Sequence, residues 1–198
     1  MVIGVTGGIG CGKSTLLGIL HQKYGGKIIL ADEIGHELME PGEDCYEKVK
    51  AHFGQEILNE EGQIDRGLLA EIVYASDEKR QELNNIIHPA VLAEIQGMIE
   101  DNKGDLVFVE TAIMFESKCD GLCQEIWCLS ADPEIRIKRL MENRGYSREK
   151  CLAIMEKQLS DQEIRDRCDQ VIFNNGTEEE LERQVGEILA RQGLVEGK

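Results

Sequence analysis

The chain has 198 residues, 41% of them apolar, 30% charged and only 5% aromatic, proportions that suit one soluble globular domain and argue against disorder. A formal net charge of −16 repels nucleic-acid backbones and anionic lipid surfaces, and no basic patch stands out to offset it. No apolar run reaches the length of a membrane span, and a glycine-rich motif occupies the place of a signal peptide, so a cytoplasmic protein with no nucleic-acid, membrane or obligate protein partner is expected.

Residues 2–5 are predicted to form a buried strand, residues 7–12 a loop, and residues 13–24 an amphipathic helix with Leu16, Leu17 and Leu20 on one face. Gly7 and Gly12 bracket four residues before Lys13 and Ser14, matching the spacing G-x-x-x-x-G-K-[ST] without a gap. Such a loop turns consecutive backbone N–H groups of Gly8, Ile9, Gly10, Cys11 and Gly12 inward, and the helix start adds its positive dipole end. A nucleotide phosphate is the expected ligand. Lys13 then serves as a point charge for the terminal phosphates, the Ser14 hydroxyl as a Mg2+ ligand, and Thr15 as the cap of the turn. Cys11 supports two readings: a thiol activated by the helix N-terminus and Lys13, or a small side chain turned away from solvent.

Residues 27–31 read as a second buried strand, which leaves Asp32 at its carboxyl end. That is where open α/β sheets collect ligands, but Asp is also a good helix N-cap, and both readings stand. Residues 41–104 look almost wholly helical, with turns at Pro41-Gly42, Gly54, Gly62 and residues 75–77. Asp65 is expected to cap one helix, Asp77 a second, and Pro89 to start a third. An insertion this long exceeds what a crossover needs and suggests an acceptor-binding lobe, in which Arg66 and His88 are the notable polar residues, as ligands or as surface contacts.

Residues 106–109 form a third strand ending at Glu110, where an acid can orient a metal ion. The preceding Asn102-Lys103-Gly104-Asp105 mimics a guanine-reading motif; because it precedes a strand, it is read as a helix-to-strand turn on Gly104. A fourth strand over 125–129 leads through Asp132-Pro133 into a helix bearing Arg136, Lys138 and Arg139, then Arg144-Gly145-Tyr146-Ser147 and a further helix. In an acidic chain this concentration of cations suits a triphosphate better than a solvated face, and the helical pair could close as a lid. Residues 171–173 make a fifth strand that ends at Asn174, and residues 178–192 a supporting helix. The seven cysteines are read as free thiols; Cys119, Cys123 and Cys128 cluster locally but lack a fourth zinc ligand.

Along nearly its full length the chain resembles the dephospho-coenzyme A kinases. The likeness is carried by residues 6–15, Ala31-Asp32, Pro41-Gly42, Phe53-Gly54, Asp65-Arg66, His88-Pro89, Phe115-Glu116, Arg139, Gln158, Asp169 and Asn174-Asn175-Gly176. It implies an α/β fold, a three-layer P-loop kinase core with a parallel five-stranded sheet, within a single domain: core at 1–40, 104–135 and 165–198, helical acceptor lobe at about 41–103, and helical lid at about 136–164. It also implies ATP-dependent phosphorylation of the ribose 3′-hydroxyl of dephospho-coenzyme A, with Mg2+. The implied catalytic residues are Asp32, the base, with Lys13 and Arg139. Nucleotide contacts would come from residues 8–15 with Arg139, Arg144 and Asn174, acceptor contacts from Asp32, Arg66 and His88, and metal ligation from Ser14 and Glu110. Three departures bear on the shape of the acceptor site: Leu30-Ala31-Asp32 replaces Asp-Ala-Asp, Ala112-Ile113-Met114-Phe115-Glu116 replaces Pro-Leu-Leu-Phe-Glu, and Cys11 replaces a common serine. Two rivals share the phosphate loop: a kinase for another small molecule, and a nucleotide-binding switch without catalysis.

Overall fold

Five strands are built from short runs of β-branched and aromatic residues: β1 (Val2–Thr6), β2 (Lys27–Leu30), β3 (Val107–Glu110), β4 (Glu125–Ser130) and β5 (Gln170–Phe173). The computed structural model describes residues 1–195. The strands lie in the order β2-β3-β1-β4-β5, and β1 pairs in parallel with both β3 and β4, placing Val5 beside Glu110 and Trp127. Parallel strands are covered on both faces, so their side chains are apolar in runs rather than in alternation. Ile3, Val5, Phe108, Val109, Trp127 and Leu129 are accordingly fully buried, each stabilising the fold by roughly 1.5–3 kcal/mol. The Phe108 and Trp127 rings meet at 5.8 Å, tilted by 60°.

The chain divides into two compact units, one made of residues 1–29 and the chain from Asn102 onward, the other of Leu30–Asp101. The first unit carries the sheet with α1 (Lys13–Tyr24), α6 (Pro133–Arg144), α7 (Arg148–Glu156), α8 (Asp161–Asp166) and α9 (Glu178–Arg191). Pro133 occupies the first turn of α6, where its missing N–H costs nothing. Helices α6 and α7 form the expected hairpin: Ile137 and Leu140 pack on Cys151, and Arg148 makes a two-point ion pair with Glu134. Helix α8 was not expected; Ser160 and Glu163 cap each other reciprocally at its start.

The second unit is helical, as the sequence suggests, with α2 (Ala31–Glu37), α3 (Asp44–Phe53), α4 (Arg66–Ala75) and α5 (Asp77–Asp101); α3, α4 and α5 share a core of Tyr46, Val49, Phe53, Ile57, Ile64 and Leu69. Asp65 caps α4, accepting from Gly67 N at 2.8 Å and Leu68 N at 3.1 Å. Four local expectations are corrected. Strand β2 ends at Leu30, and Ala31 already belongs to α2. Asp32 is therefore a helical residue of the first turn, and the N-cap of α2 is Leu30, without a side-chain cap. At α5 the side chain that caps the first turn is that of Ser76, accepting from Lys79 N at 3.3 Å; Asp77 is the helix's first residue. Pro89 begins no new helix but sits inside α5, which runs on through it. A proline ring removes one ladder bond, here to the Asn85 carbonyl, and packing over 25 residues outweighs that local loss.

Among the described residues no helix is long and apolar enough to cross a membrane. The turn at Asn102-Lys103-Gly104-Asp105 does connect helix to strand, with Gly104 at φ 105°.

Candidate active site

The loop between β1 and α1 wraps its backbone around the start of the helix. Gly12 is the N-cap of α1 at φ 93° and ψ 30°, a left-handed conformation that costs glycine nothing, and it offers no side-chain cap. A Cβ at Gly12 would also stand 2.3 Å from the Asn174 amide nitrogen. Thr15 lies inside the helix, so the expectation that it caps the turn is corrected. An uncapped N-terminus of a 12-residue helix leaves its first N–H groups for an anion. Ser14 and Thr15 are both exposed there.

Lys13 curls back so that Nζ donates to the Gly7 carbonyl at 2.8 Å and stands 3.6 Å from Glu110 Oε1. The parallel register of β1 and β3 makes this possible, since it pairs Val5 with Glu110 at the carboxyl ends of both strands. The Ser14 hydroxyl and the Glu110 carboxylate are hard oxygen donors of the kind that suit Mg2+, which ordinarily takes one or two protein oxygens and completes its shell with phosphate and water.

Behind the loop, Asn174 follows β5 directly and is buried; its Nδ2 donates to the Cys11 carbonyl at 2.8 Å. Arg139, from α6, reaches the same carbonyl at 3.4 Å and Asn174 Oδ1 at 3.5 Å. These are long contacts, and they leave guanidinium donors for a further acceptor. Sequence expectation thus brings Lys13, Glu110, Arg139 and Asn174 together around residues 7–15. Arg144 is exposed in the last turn of α6, more than a helical turn beyond Arg139.

Cys11 is 1% exposed. Burial pushes its thiol above the ordinary range, and the opposing pull of Arg136 and Lys13 does not overcome that. The activated-thiolate reading is corrected: here the desolvation of a buried sulfur outweighs the positive field. Four of the other six cysteines form two pairs, Cys119 with Cys123 and Cys128 with Cys168, so Cys128 does not join the local cluster that its sequence position suggests. Among the described residues no group of three or more His, Cys, Asp or Glu is gathered as a metal site.

In the helical unit Asp32 is exposed in the first turn of α2. Arg66 opens α4 and pairs with Glu40 at 3.3 Å, both half exposed. The two line a cleft of about 440 Å³ with Met39, Asn59, Gln63 and Asp65, a volume in the range of small-molecule sites. His88 is partly buried within α5, next to Pro89.

Two residues that touch the loop, and a third that holds one of them, carry no role in the sequence reading. Arg136 counted only as one lid cation, Gln158 only as part of the family likeness, and Asp161 not at all. Ile9 N donates to Gln158 Oε1 at 2.9 Å, Arg136 Nε donates to the Ile9 carbonyl at 2.8 Å, and Arg136 Nη1 is held by both Asp161 oxygens at 2.7 and 2.8 Å. Spacing in sequence carries no signal for a contact across more than a hundred residues.

Comparison with known proteins gives the family and the fold. A profile of the family described as dephospho-CoA kinase matches residues 1–180. A dephospho-CoA kinase of Carboxydothermus hydrogenoformans is 41% identical over 193 residues, covering 96% of this chain and 93% of its own. One from Geobacillus kaustophilus is 37% identical, covering 99% and 98%. Among solved structures, dephospho-CoA kinase from Campylobacter jejuni superposes with a TM-score of 0.69 at 30% identity, covering 96% and 98%. A Thermus thermophilus protein reaches 0.85 at 31%, covering 96% and 97%. Shikimate kinase from Acinetobacter baumannii, at 14% identity and a TM-score of 0.56, shares the fold alone.

Proposed function

The chain belongs to the dephospho-CoA kinase family, and on that premise we propose that it transfers the γ-phosphoryl group of ATP to the ribose 3′-hydroxyl of dephospho-coenzyme A, giving coenzyme A and ADP, the last step of coenzyme A synthesis. The observation that carries this reading is the uncapped start of α1 with Lys13, Glu110 and Arg139 around it, in a chain whose residues 1–180 match this family.

The loop of residues 8–15 holds the phosphates through the backbone N–H groups left open to it, that of Ile9 being taken by Gln158, and the Lys13 ammonium leaves the Gly7 carbonyl for the terminal phosphate oxygens. Arg139, already beside the loop, donates to the charge that spreads over the equatorial oxygens during transfer. Arg144 is the second cation of the lid, and Asn174 serves nucleotide binding by holding the loop at the Cys11 carbonyl. Ser14 and Glu110 would hold Mg2+, which when bound neutralises phosphate charge. Asp32 orients the acceptor hydroxyl and takes its proton, and Arg66 and His88 bind the acceptor. The chain works as a single kinase domain with residues 136–164 as its lid, in the cytoplasm, without a nucleic-acid or membrane partner.

A panel of acceptors with ATP tests the reading. Transfer to dephospho-coenzyme A should far exceed transfer to nucleosides, nucleotides, sugars or shikimate. Preference for another acceptor, or ATP binding without transfer to any, would overturn it.

A further inference from the structure

The crest of the phosphate loop is moulded on one buried side chain. Arg136 is 2% exposed, and its guanidinium lies so close over Gly8 that a Cβ there would sit 2.3 Å from Nη2 and 2.8 Å from Cζ. Gly10 meets the Arg136 backbone, with the carbonyl 3.0 Å from where its Cβ would stand. Gly8 therefore owes its identity to the guanidinium against it. Both backbone groups of Ile9, between these glycines, are bonded by side chains from residues 136–161: the carbonyl by Arg136 Nε and the N–H by Gln158 Oε1. The Ile9 side chain packs on the cluster of Ile137, Leu140 and Cys151.

From this arrangement we infer that Arg136, Asp161 and Gln158 form a positioning unit that fixes the peptide planes of residues 8–10 for phosphate binding. Arg136 does not meet the phosphates itself. Its Nε is used by Ile9, and its Nη1 is chelated by the Asp161 carboxylate, so its charge is already answered and it acts through the backbone it holds. Asp161 is the first residue of α8, and Gln158 lies just before that helix. The loop's shape is thus set by the turn between α7 and α8, more than a hundred residues downstream. A crest free to rotate its peptides would meet the anion with carbonyls as readily as with N–H groups, and preorganised donors are what a phosphate loop supplies.

The inference rests on the ATP-dependent reading above, and its test includes a measurement that needs no acceptor. Glutamine carries Nε2 the same number of bonds from Cα as arginine carries Nε, so Arg136→Gln with Asp161→Asn retains the donor to Ile9 and removes both charges. Arg136→Met with Asp161→Leu removes the donor and leaves an apolar pair in place of an ion pair that is buried on the Arg136 side. Calorimetric titration with ATP should give the Gln/Asn variant a Kd within about threefold of wild type and the Met/Leu variant one weakened by about tenfold or more, a difference near one neutral hydrogen bond. The kcat with dephospho-coenzyme A should follow the same order. Equal ATP affinity in the two double variants would reduce the pair to fold stability and overturn the inference. Gln158→Met, which changes no charge, should weaken ATP in the same way; if the Met/Leu variant fails to fold, unchanged ATP binding in Gln158→Met overturns the inference by itself. Failure of the wild type to phosphorylate dephospho-coenzyme A would instead fall on the functional reading, since ATP titration reads the loop directly.

Discussion

The Lys13 ammonium stands 3.6 Å from Glu110 Oε1, with the two side chains only 15% and 13% exposed. The same ammonium donates to the Gly7 carbonyl at 2.8 Å, which keeps the charge beside the loop. Lys13→Ala should lower kcat by about 10²-fold or more and also weaken ATP, because the charge serves both ground and transition states. Glu110→Gln should shift the Mg2+ titration of activity to higher concentration. Unchanged kinetics in Lys13→Ala would remove the loop from the mechanism, and an unshifted Mg2+ titration would leave Glu110 as the lysine's partner alone.

Asp32 lies in the first turn of α2 without capping it, which takes away its structural alternative as an N-cap. Asp32→Asn should depress turnover by about 10²- to 10⁴-fold, the usual worth of a general base, while calorimetric ATP affinity stays near wild type. Turnover within a few-fold of wild type would dismiss it as the base.

Arg139 reaches the Cys11 carbonyl only at 3.4 Å, a contact weak enough to give up for a phosphate oxygen. Arg139→Lys should reduce kcat by about tenfold or more, corresponding to one charge-assisted hydrogen bond of roughly 1.5–3 kcal/mol, with a smaller change in ATP affinity. A variant with weakened ATP binding and an intact maximal rate would make Arg139 a ground-state clamp.

The buried Cys11 thiol predicts resistance to alkylation. At neutral pH a thiol-directed reagent should inactivate wild type and Cys11→Ser at the same slow rate, since the reactive thiolate is suppressed. The folded pKa lies above the unfolded one, so the stability this thiol contributes is fully present below about pH 8.5 and falls as pH rises toward the folded value. Urea unfolding of Cys11→Ser should accordingly show less loss of stability between pH 8 and 10 than wild type. Rapid inactivation of wild type with protection by ATP would restore the activated-thiol reading.

Much of the molecule was legible without coordinates. The interval from Gly7 to Lys13 is local chemistry, and the structure forms α1 over the predicted residues 13–24; all five strands appear as apolar runs because a parallel sheet buries both faces. Asp65 was readable as a cap because capping spans only two or three residues. Local reasoning failed at Pro89, where a helix rule is overruled by the packing of a long helix, and at Asp77, where Ser76 one residue earlier makes the capping bond.

Burial and long-range contact were decided by the tertiary structure alone. Arg136 and Arg139 are three residues apart in a run of cations, yet one is sealed under Gly8 and answered by Asp161 while the other lies beside the Cys11 carbonyl. Whether Cys11 ionises likewise depends on desolvation by residues remote in sequence, not on its place in the motif. The motif names the atoms that meet a phosphate because that interaction is made by neighbouring backbone groups. The residues that hold those atoms in place come from whatever the fold stacks against the loop, and only the packed chain specifies them.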